Sequence, residues 1–263
     1  MDRLKDQVAI VTGAGEGIGR GVARRFASEG ARVIVAEIKT ETGEKTVKEL
    51  GELGGEGIFV RTDVSDKANV EAMVNETVKS FGRVDILVNN AYPTGGFPVR
   101  LENKTDEDFR KAMEAGFFGT LWTMRAAFEQ MRKQGGGRII NMCSLNGVNT
   151  HMYTADYNTA KEAIRCLTRS AAREWAHHNI LVNAICPAAV TGAFEMFQKF
   201  APDNAAELIK QNPMGRMGDP ERDIGGVALF LASEDSCYVT GNTIFADGGG
   251  HINGVAWAPE LPE

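Results

Sequence analysis

The chain of 263 residues is 43% hydrophobic and 24% charged, with a net charge of −6. That balance fits an ordinary globular protein. It excludes a disordered or collagen-like chain, and the lack of a basic run argues against a nucleic-acid partner. Glycine supplies 30 residues, about 11% against a usual value of roughly 7%, which predicts tight turns and close backbone approaches.

In chain order, Gln7–Thr12 reads as a strand and Ile18–Ser28 as a helix, with Gly30 at its stop. Arg32–Glu37 is a second strand and Thr40–Leu53 a second helix. Gly57–Arg61 is a third strand and Asp66–Phe81 a helix. Val84–Val88 is a fourth strand, and Thr105–Arg132 reads as one long helix. Arg138–Cys143 is a fifth strand, Thr154–His177 a helix and Ile180–Ile185 a sixth strand. Pro220–Ala232 is helical and Thr243–Phe245 is the last strand.

Several of these strands are continuous apolar runs, as expected where helices cover both faces of a parallel sheet. The repeated strand–helix order predicts a single doubly wound α/β (Rossmann) domain over residues 1–263, with a parallel seven-stranded sheet. Two stretches break the rhythm: a loop over 92–104 with Pro93, Gly95, Gly96 and Pro98, and an excursion over 188–219. Both leave strand carboxyl ends, where this fold binds ligands, so both are expected substrate walls and 188–219 the lid.

No apolar run approaches the ~18 residues of a membrane helix, and Met1–Asp6 mixes charge signs unlike a signal peptide. Cys143, Cys166, Cys186 and Cys237 lack CxxC spacing and read as free thiols of a reducing compartment. The histidines lack ligand spacing, and the adjacent His177 and His178 should face different sides of a helix. Arg24 and Arg25 read as a solvated face. A cytoplasmic protein is expected, with no metal and no membrane partner.

The first strand runs into Thr12-Gly13-Ala14-Gly15-Glu16-Gly17-Ile18-Gly19 and then a helix. Gly13, Gly15, Gly17 and Gly19 at a strand-to-helix turn fit a dinucleotide pyrophosphate. The glycines let the backbone approach, and the helix N-terminus at Ile18 offers amides and partial positive charge. Glu37 ends the second strand 24 residues after Gly13. A carboxylate there accepts from ribose hydroxyls and repels an extra phosphate, which points to NAD over NADP. Glu16 adds negative charge, and Lys39, the nearby cation, reads as solvated.

Tyr157 and Lys161 stand four apart on a helix and share a face, and Ser144 follows the fifth strand. Oxidising an alcohol by hydride transfer requires loss of its hydroxyl proton. A free phenol ionises near pH ~10. An ammonium ~4 Å away at an effective dielectric of ~20 supplies about 4 kcal/mol, roughly three pKa units. Tyr157 is therefore the expected acid/base, Lys161 its tuner and the holder of the nicotinamide ribose, and Ser144 the stabiliser of the substrate oxygen.

Taken together these residues resemble the short-chain dehydrogenase/reductase family in its single-domain form. The resemblance covers nearly the whole chain through TGAGEGIG at 12–19, Asp63-Val64, Asn89-Asn90-Ala91, Ser144, Tyr157, Lys161, Val182-Asn183-Ala184 with Pro187, and Asp247-Gly248-Gly249. It implies that Asp63 and Val64 meet the adenine and that Asn89 and Ala91 line the adenosine side. It further implies that the nicotinamide carboxamide lies near Pro187 and Val190. A homotetramer, with helices 105–132 and 154–177 at one interface, is implied as well. Four positions depart from the family pattern. Gly116 stands where the family has Asn, Tyr92 replaces a Gly, Ala188 follows Pro187, and Thr191 precedes the expected Thr position, which holds Gly192.

The lid carries Phe194, Met196, Phe197, Phe200, Met214 and Met217, and the opposite wall Tyr92, Phe97, Leu145 and Met152. Of these, Tyr92, Leu145, Met152, Phe194 and Phe197 are the expected substrate-binding residues. Aromatic and Met residues at a mouth imply an apolar secondary alcohol or ketone, whether cyclic, terpenoid, steroid-like or aryl. Arg216 and Arg222 are the lid's possible anion anchors. The tail 251–263, with Trp257, Pro259, Leu261 and Pro262, is expected to pack on a neighbouring subunit. Two alternatives stand beside the NAD-linked dehydrogenase: a catalytically weakened NAD-binding sensor or scaffold, and an NADP-linked ketone reductase.

Overall fold

A computed structural model describes residues 2–92 and 98–252. The apolar runs form its strands: β1 (Val8–Thr12), β2 (Arg32–Glu37), β3 (Glu56–Arg61), β4 (Ile86–Asn89), β5 (Gly137–Met142), β6 (Ile180–Pro187) and β7 (Thr243–Ala246). Among the described residues these make one parallel sheet in the order β3-β2-β1-β4-β5-β6-β7. The order reverses between β1 and β4. Loops leaving the carboxyl ends of those two strands diverge there and open a crevice.

The helices are α1 (Gly17–Ala27), α2 (Thr40–Glu52), α3 (Lys67–Phe81), α4 (Asp106–Ala112), α5 (Gly119–Gln134), α6 (Leu145–Val148), α7 (Ala155–Trp175), α8 (Gly192–Phe200), α9 (Pro202–Gln211) and α10 (Gly225–Ala232). Alternate residues of β1 feed opposite faces of the sheet, as the two-residue strand period requires. Ala9 and Val11 pack with Val22, Phe26, Leu50 and Leu229. Ile10 packs with Met73, Met124, Met131 and Ile139 on the other face. Phe26 is fully buried, worth about 1.5–3 kcal/mol to the fold.

The long helix expected over 105–132 is three pieces. A capping box between Thr105 and Asp108 starts α4. A π-helical segment, Met113–Phe118, follows and carries Gly116 at its buried face. α5 then runs to a left-handed Gly135. The wide π turn lets Gly119 approach the chain after β3 so closely that a Cβ there would lie 2.8 Å from the Val64 carbonyl oxygen. Pro220–Ile224 is likewise a π turn ahead of α10, with the Asp219 side chain accepting from the amides of Glu221 and Arg222.

The excursion 188–219 contains α8 and α9, and a parallel bridge between Ala189 and Gly218 closes its neck. Two surface expectations are corrected. Arg24 is not solvated: its guanidinium binds Glu49 at 3.2 Å and Glu221 at 2.6 Å and ties α1 to two neighbours. His177 and His178 lie in a tight 3-10 turn that brings their ring centroids within 3.8 Å, so they share a face. The expectations for Phe97 and for the tail beyond Ile252 lie outside the described residues. No helix among the described residues is long and apolar enough to cross a membrane.

Candidate active site

The glycine loop is held open from below. Asn90 Nδ2 donates to the carbonyls of Thr12 and Gly13 at 3.0 and 3.1 Å. Thr12 Oγ1 accepts from the amides of Asn90 and Ala91. Gly13 and Gly17 have φ of 64° and 52°, the left-handed region that favours glycine. A Cβ on Gly13 would sit 2.9 Å from Ala91 Cα, and one on Gly19 would run into the Gly13 carbonyl oxygen. Glu16 occupies the N-cap of α1 without a side-chain cap bond. The first amides of α1 thus remain available to an anion. These features fit a dinucleotide's pyrophosphate.

Glu37 lies beside that loop. Its Oε2 accepts from the Gly15 amide at 3.1 Å, and Oε1 accepts from the amides of Ile38 and Lys39. The carboxylate is fixed in place at the carboxyl end of β2. Lys39 pairs with Glu16 at 3.5 Å, and both side chains are largely exposed.

On the adenosine side, Asp63 Oδ1 accepts from the amide and hydroxyl of Ser65. Val64, Asn89 and Ala91 line one crevice together with Thr12, Gly119 and Thr120. The Asn89 side chain is consumed by the core: Nδ2 donates to Asn141 Oδ1 at 2.9 Å, and Oδ1 accepts from Thr123 Oγ1 at 2.6 Å. Asn89 therefore reaches the crevice through its backbone.

Ser144 follows β5 by two residues, and Lys161 of α7 reaches back to the end of that strand beside Tyr157. Ser144 caps α6, with Oγ accepting from the Asn146 amide at 3.1 Å, which leaves its own hydroxyl proton to donate. Lys161 is 4% exposed, and its ammonium donates to the Met142 carbonyl at 2.7 Å. Its Nζ stands 5.7 Å from the Tyr157 ring centroid and 4.8 Å from that of Tyr92. Tyr92 meets Tyr157 edge to face, at 4.9 Å and 78°. Expected on the substrate wall, Tyr92 thus turns its ring onto the Tyr157–Lys161 pair. Burial pushes its phenol up, with Tyr157 and Asp156 adding to the effect, so Tyr92 stays protonated.

Several neighbours escaped sequence reasoning. Lys104 and Asp156 form an ion pair at 2.9 Å, with side chains 4% and 14% exposed. It pins the segment after residue 98 to α7, one residue from Tyr157. Asn158 Nδ2 holds the His151 carbonyl at 2.8 Å, next to Thr150 and Tyr153, which carry φ of 51° and 71°. No short spacing signals either contact. Cys143 and Cys186 are buried beside the group. Burial pushes their thiols up to about 11 and about 12, which makes them poor nucleophiles.

The excursion 188–219 starts just beyond the carboxyl end of β6. The Val190 amide donates to the Gly218 carbonyl at 2.9 Å, three residues beyond Pro187. Thr191 caps α8 by accepting from the Phe194 amide at 3.3 Å. Its Cγ2 would be 3.7 Å from a Cβ on Gly17, which sets the start of the excursion beside the glycine loop. The Phe194 and Phe197 rings stand 6.4 Å apart, and Phe197, Met196, Met214 and Met152 are exposed. Leu145 faces the turn at Gly250. Arg216 and Arg222 are not offered as anion anchors. Both engage Asp223, at 2.5 and 3.2 Å.

Residues 13–251 match the family model described as enoyl-(acyl carrier protein) reductase. The chain is 39% identical over 252 residues to an uncharacterized oxidoreductase of Thermotoga maritima, across 94% of this chain and 98% of that protein. It is 34% identical over 249 residues to the 7alpha-hydroxysteroid dehydrogenase of Escherichia coli K12, across 94% of this chain and 95% of that one. Levodione reductase superposes with a TM-score of 0.91 at 33% identity, covering 95% of this chain and 100% of the other. A 7 alpha-hydroxysteroid dehydrogenase complexed with NADH and 7-oxo glycochenodeoxycholic acid superposes at 0.89 and 34% identity, covering 94% and 95%. The chain belongs to the short-chain dehydrogenase/reductase family, whose members are oxidoreductases that use a nicotinamide cofactor.

Proposed function

We propose that this protein interconverts a hydrophobic secondary alcohol and its ketone with NAD as cofactor, the substrate being cyclic, terpenoid, steroid-like or aryl. One observation carries the reading: a buried Lys161 ammonium, anchored on the Met142 carbonyl, lies beside Tyr157 at the end of β5. Nicotinamide supplies the hydride acceptor or donor when bound. Tyr157 takes the alcohol proton during oxidation and returns it during reduction. Lys161 favours the phenolate by its charge and holds the nicotinamide ribose. Ser144 donates its hydroxyl proton to the substrate oxygen as negative charge develops there. Gly13, Gly15, Gly17, Ile18 and Gly19 hold the pyrophosphate. Asp63, Val64, Asn89 and Ala91 flank the adenosine, and Pro187 with Val190 meets the carboxamide.

Glu37 and Glu16 support NAD over NADP, because Lys39 is already engaged with Glu16. The exposed Met152, Met196, Phe197 and Met214 support an apolar substrate that covers them. Relatives named as hydroxysteroid dehydrogenases and as levodione reductase are in keeping with a cyclic alcohol or ketone. A homotetramer in the cytoplasm is the expected assembly and location, and sedimentation checks the first. The test of function is a panel of cyclic and aryl secondary alcohols, with NAD and NADP at equal concentration. NADH formation on apolar members is expected. A clear NADP preference overturns the cofactor assignment, and turnover confined to charged alcohols overturns the substrate class.

A further inference from the structure

Two sequence oddities, far apart in the chain, meet in space. Gly116 faces the Tyr92 ring: a Cβ there would come 2.8 Å from Tyr92 Cε2 and 3.4 Å from Ala160 Cβ. Any side chain at 116 would displace the ring. Tyr92 in turn touches both partners of the proposed acid/base pair, with Nζ of Lys161 4.8 Å from its centroid and the Tyr157 ring 4.9 Å away. Among the described residues no carboxylate pairs with Lys161, whose ammonium donates to the Met142 carbonyl. A buried ammonium with one carbonyl acceptor gains from an aromatic face within about 6 Å, and burial strengthens that attraction. The charged groups nearby are the Lys104–Asp156 ion pair beside Tyr157 and the Glu162–Arg165 ion pair on α7, and the Cys143 thiol is neutral.

We propose that Tyr92 is a positioning residue whose ring holds the Lys161 ammonium against Tyr157, and that Gly116 is the space-maker that admits this ring. The π segment around Gly116 sets the width of the slot. This deepens, and rests on, the assignment of Tyr157 and Lys161 as the acid/base pair. Tyr92 acts through its ring face and not through its hydroxyl. Phe is therefore equivalent to Tyr at position 92, whereas Leu is not.

The test reads Tyr157 itself, without turnover. The chain has four tyrosines, so ring-carbon-labelled tyrosine gives four NMR signals, and Y157F identifies the one that matters. Its ionisation is followed by pH titration in wild type, K161M, Y92F, Y92L, G116A and the double variant G116A/Y92L. K161M is expected to weaken Tyr157 ionisation about a hundredfold, and Y92L about threefold to thirtyfold. Y92F should match wild type within about twofold, since the ring face is retained. G116A should move Tyr157 in the same direction as Y92L, and the double variant should be no worse than Y92L, because the clash disappears with the ring. If Y92L does not fold, G116A carries the test. A purely structural Tyr92 would lower stability and leave the Tyr157 titration in place. That result, with K161M still effective, overturns the positioning role and leaves the acid/base reading intact. A K161M variant that leaves Tyr157 unmoved overturns the acid/base reading and this proposal together.

Discussion

Replacing Lys161 by Met keeps a long apolar stem and removes only the ammonium. With Nζ 5.7 Å from the Tyr157 ring centroid, the lost attraction for a phenolate is about 3 kcal/mol at an effective dielectric of ~20. At ~1.4 kcal/mol per tenfold, kcat/KM for alcohol oxidation should fall about a hundredfold. The Met142 carbonyl, at 2.7 Å from Nζ, would also lose its partner, a cost of about 1–3 kcal/mol in stability. Initial rates of NADH formation, measured on the best alcohol of the panel, report the first effect. A thermal melt reports the second. A K161M enzyme within threefold of wild type at neutral pH, with a normal melt, would refute the reasoning.

Other outcomes follow from the same structure. E37A removes the charge fixed beside Gly15 and should narrow the preference for NAD over NADP by at least about tenfold, read as the ratio of kcat/KM with the two cofactors. A thiol reagent such as DTNB should titrate Cys237, which is exposed, while Cys143 and Cys186 react only after unfolding; rapid reaction of the two buried thiols would contradict the packing. The Arg216 hydrogen bond holds the Asp223 carboxyl well below its ordinary 3.8. A folded value below the unfolded one contributes stability above about pH 4 that is lost as pH falls further. Melting temperature should therefore fall less between pH 5 and 3 in D223N than in wild type, and equal acid sensitivity would remove Asp223 from the account.

What could be read from the sequence was whatever chemistry encodes locally. Continuous apolar runs marked β1 and β2, because a doubly covered strand needs no polar face. The glycine loop and the Tyr157–Lys161 spacing were legible for the same reason: each lies within one turn or one helix. Tyr92 and Gly116 were each visible as departures, but only the fold puts the ring of one in the space left by the other. The Lys104–Asp156 pair and the Met142 carbonyl under Lys161 are also long-range, and no periodicity announces them. α8 and α9 went unread because they are short, nine and ten residues, and sit inside an excursion taken as loop on its length. Their start signals, Thr191 as a cap and Pro202 in the first turn, were present.

The most direct measurement compares Y157F with wild type in two assays: NADH formation from NAD across the alcohol panel, and NADH binding by fluorescence. The account predicts that Y157F loses about a hundredfold to ten-thousandfold of turnover while binding NADH within about threefold of wild type, because the pyrophosphate cradle is separate from the phenol. Undiminished turnover by Y157F would remove the phenol from the chemistry. Wild type and Y157F equally inert on every alcohol, yet both binding NADH, would make the protein a nucleotide sensor instead of an enzyme.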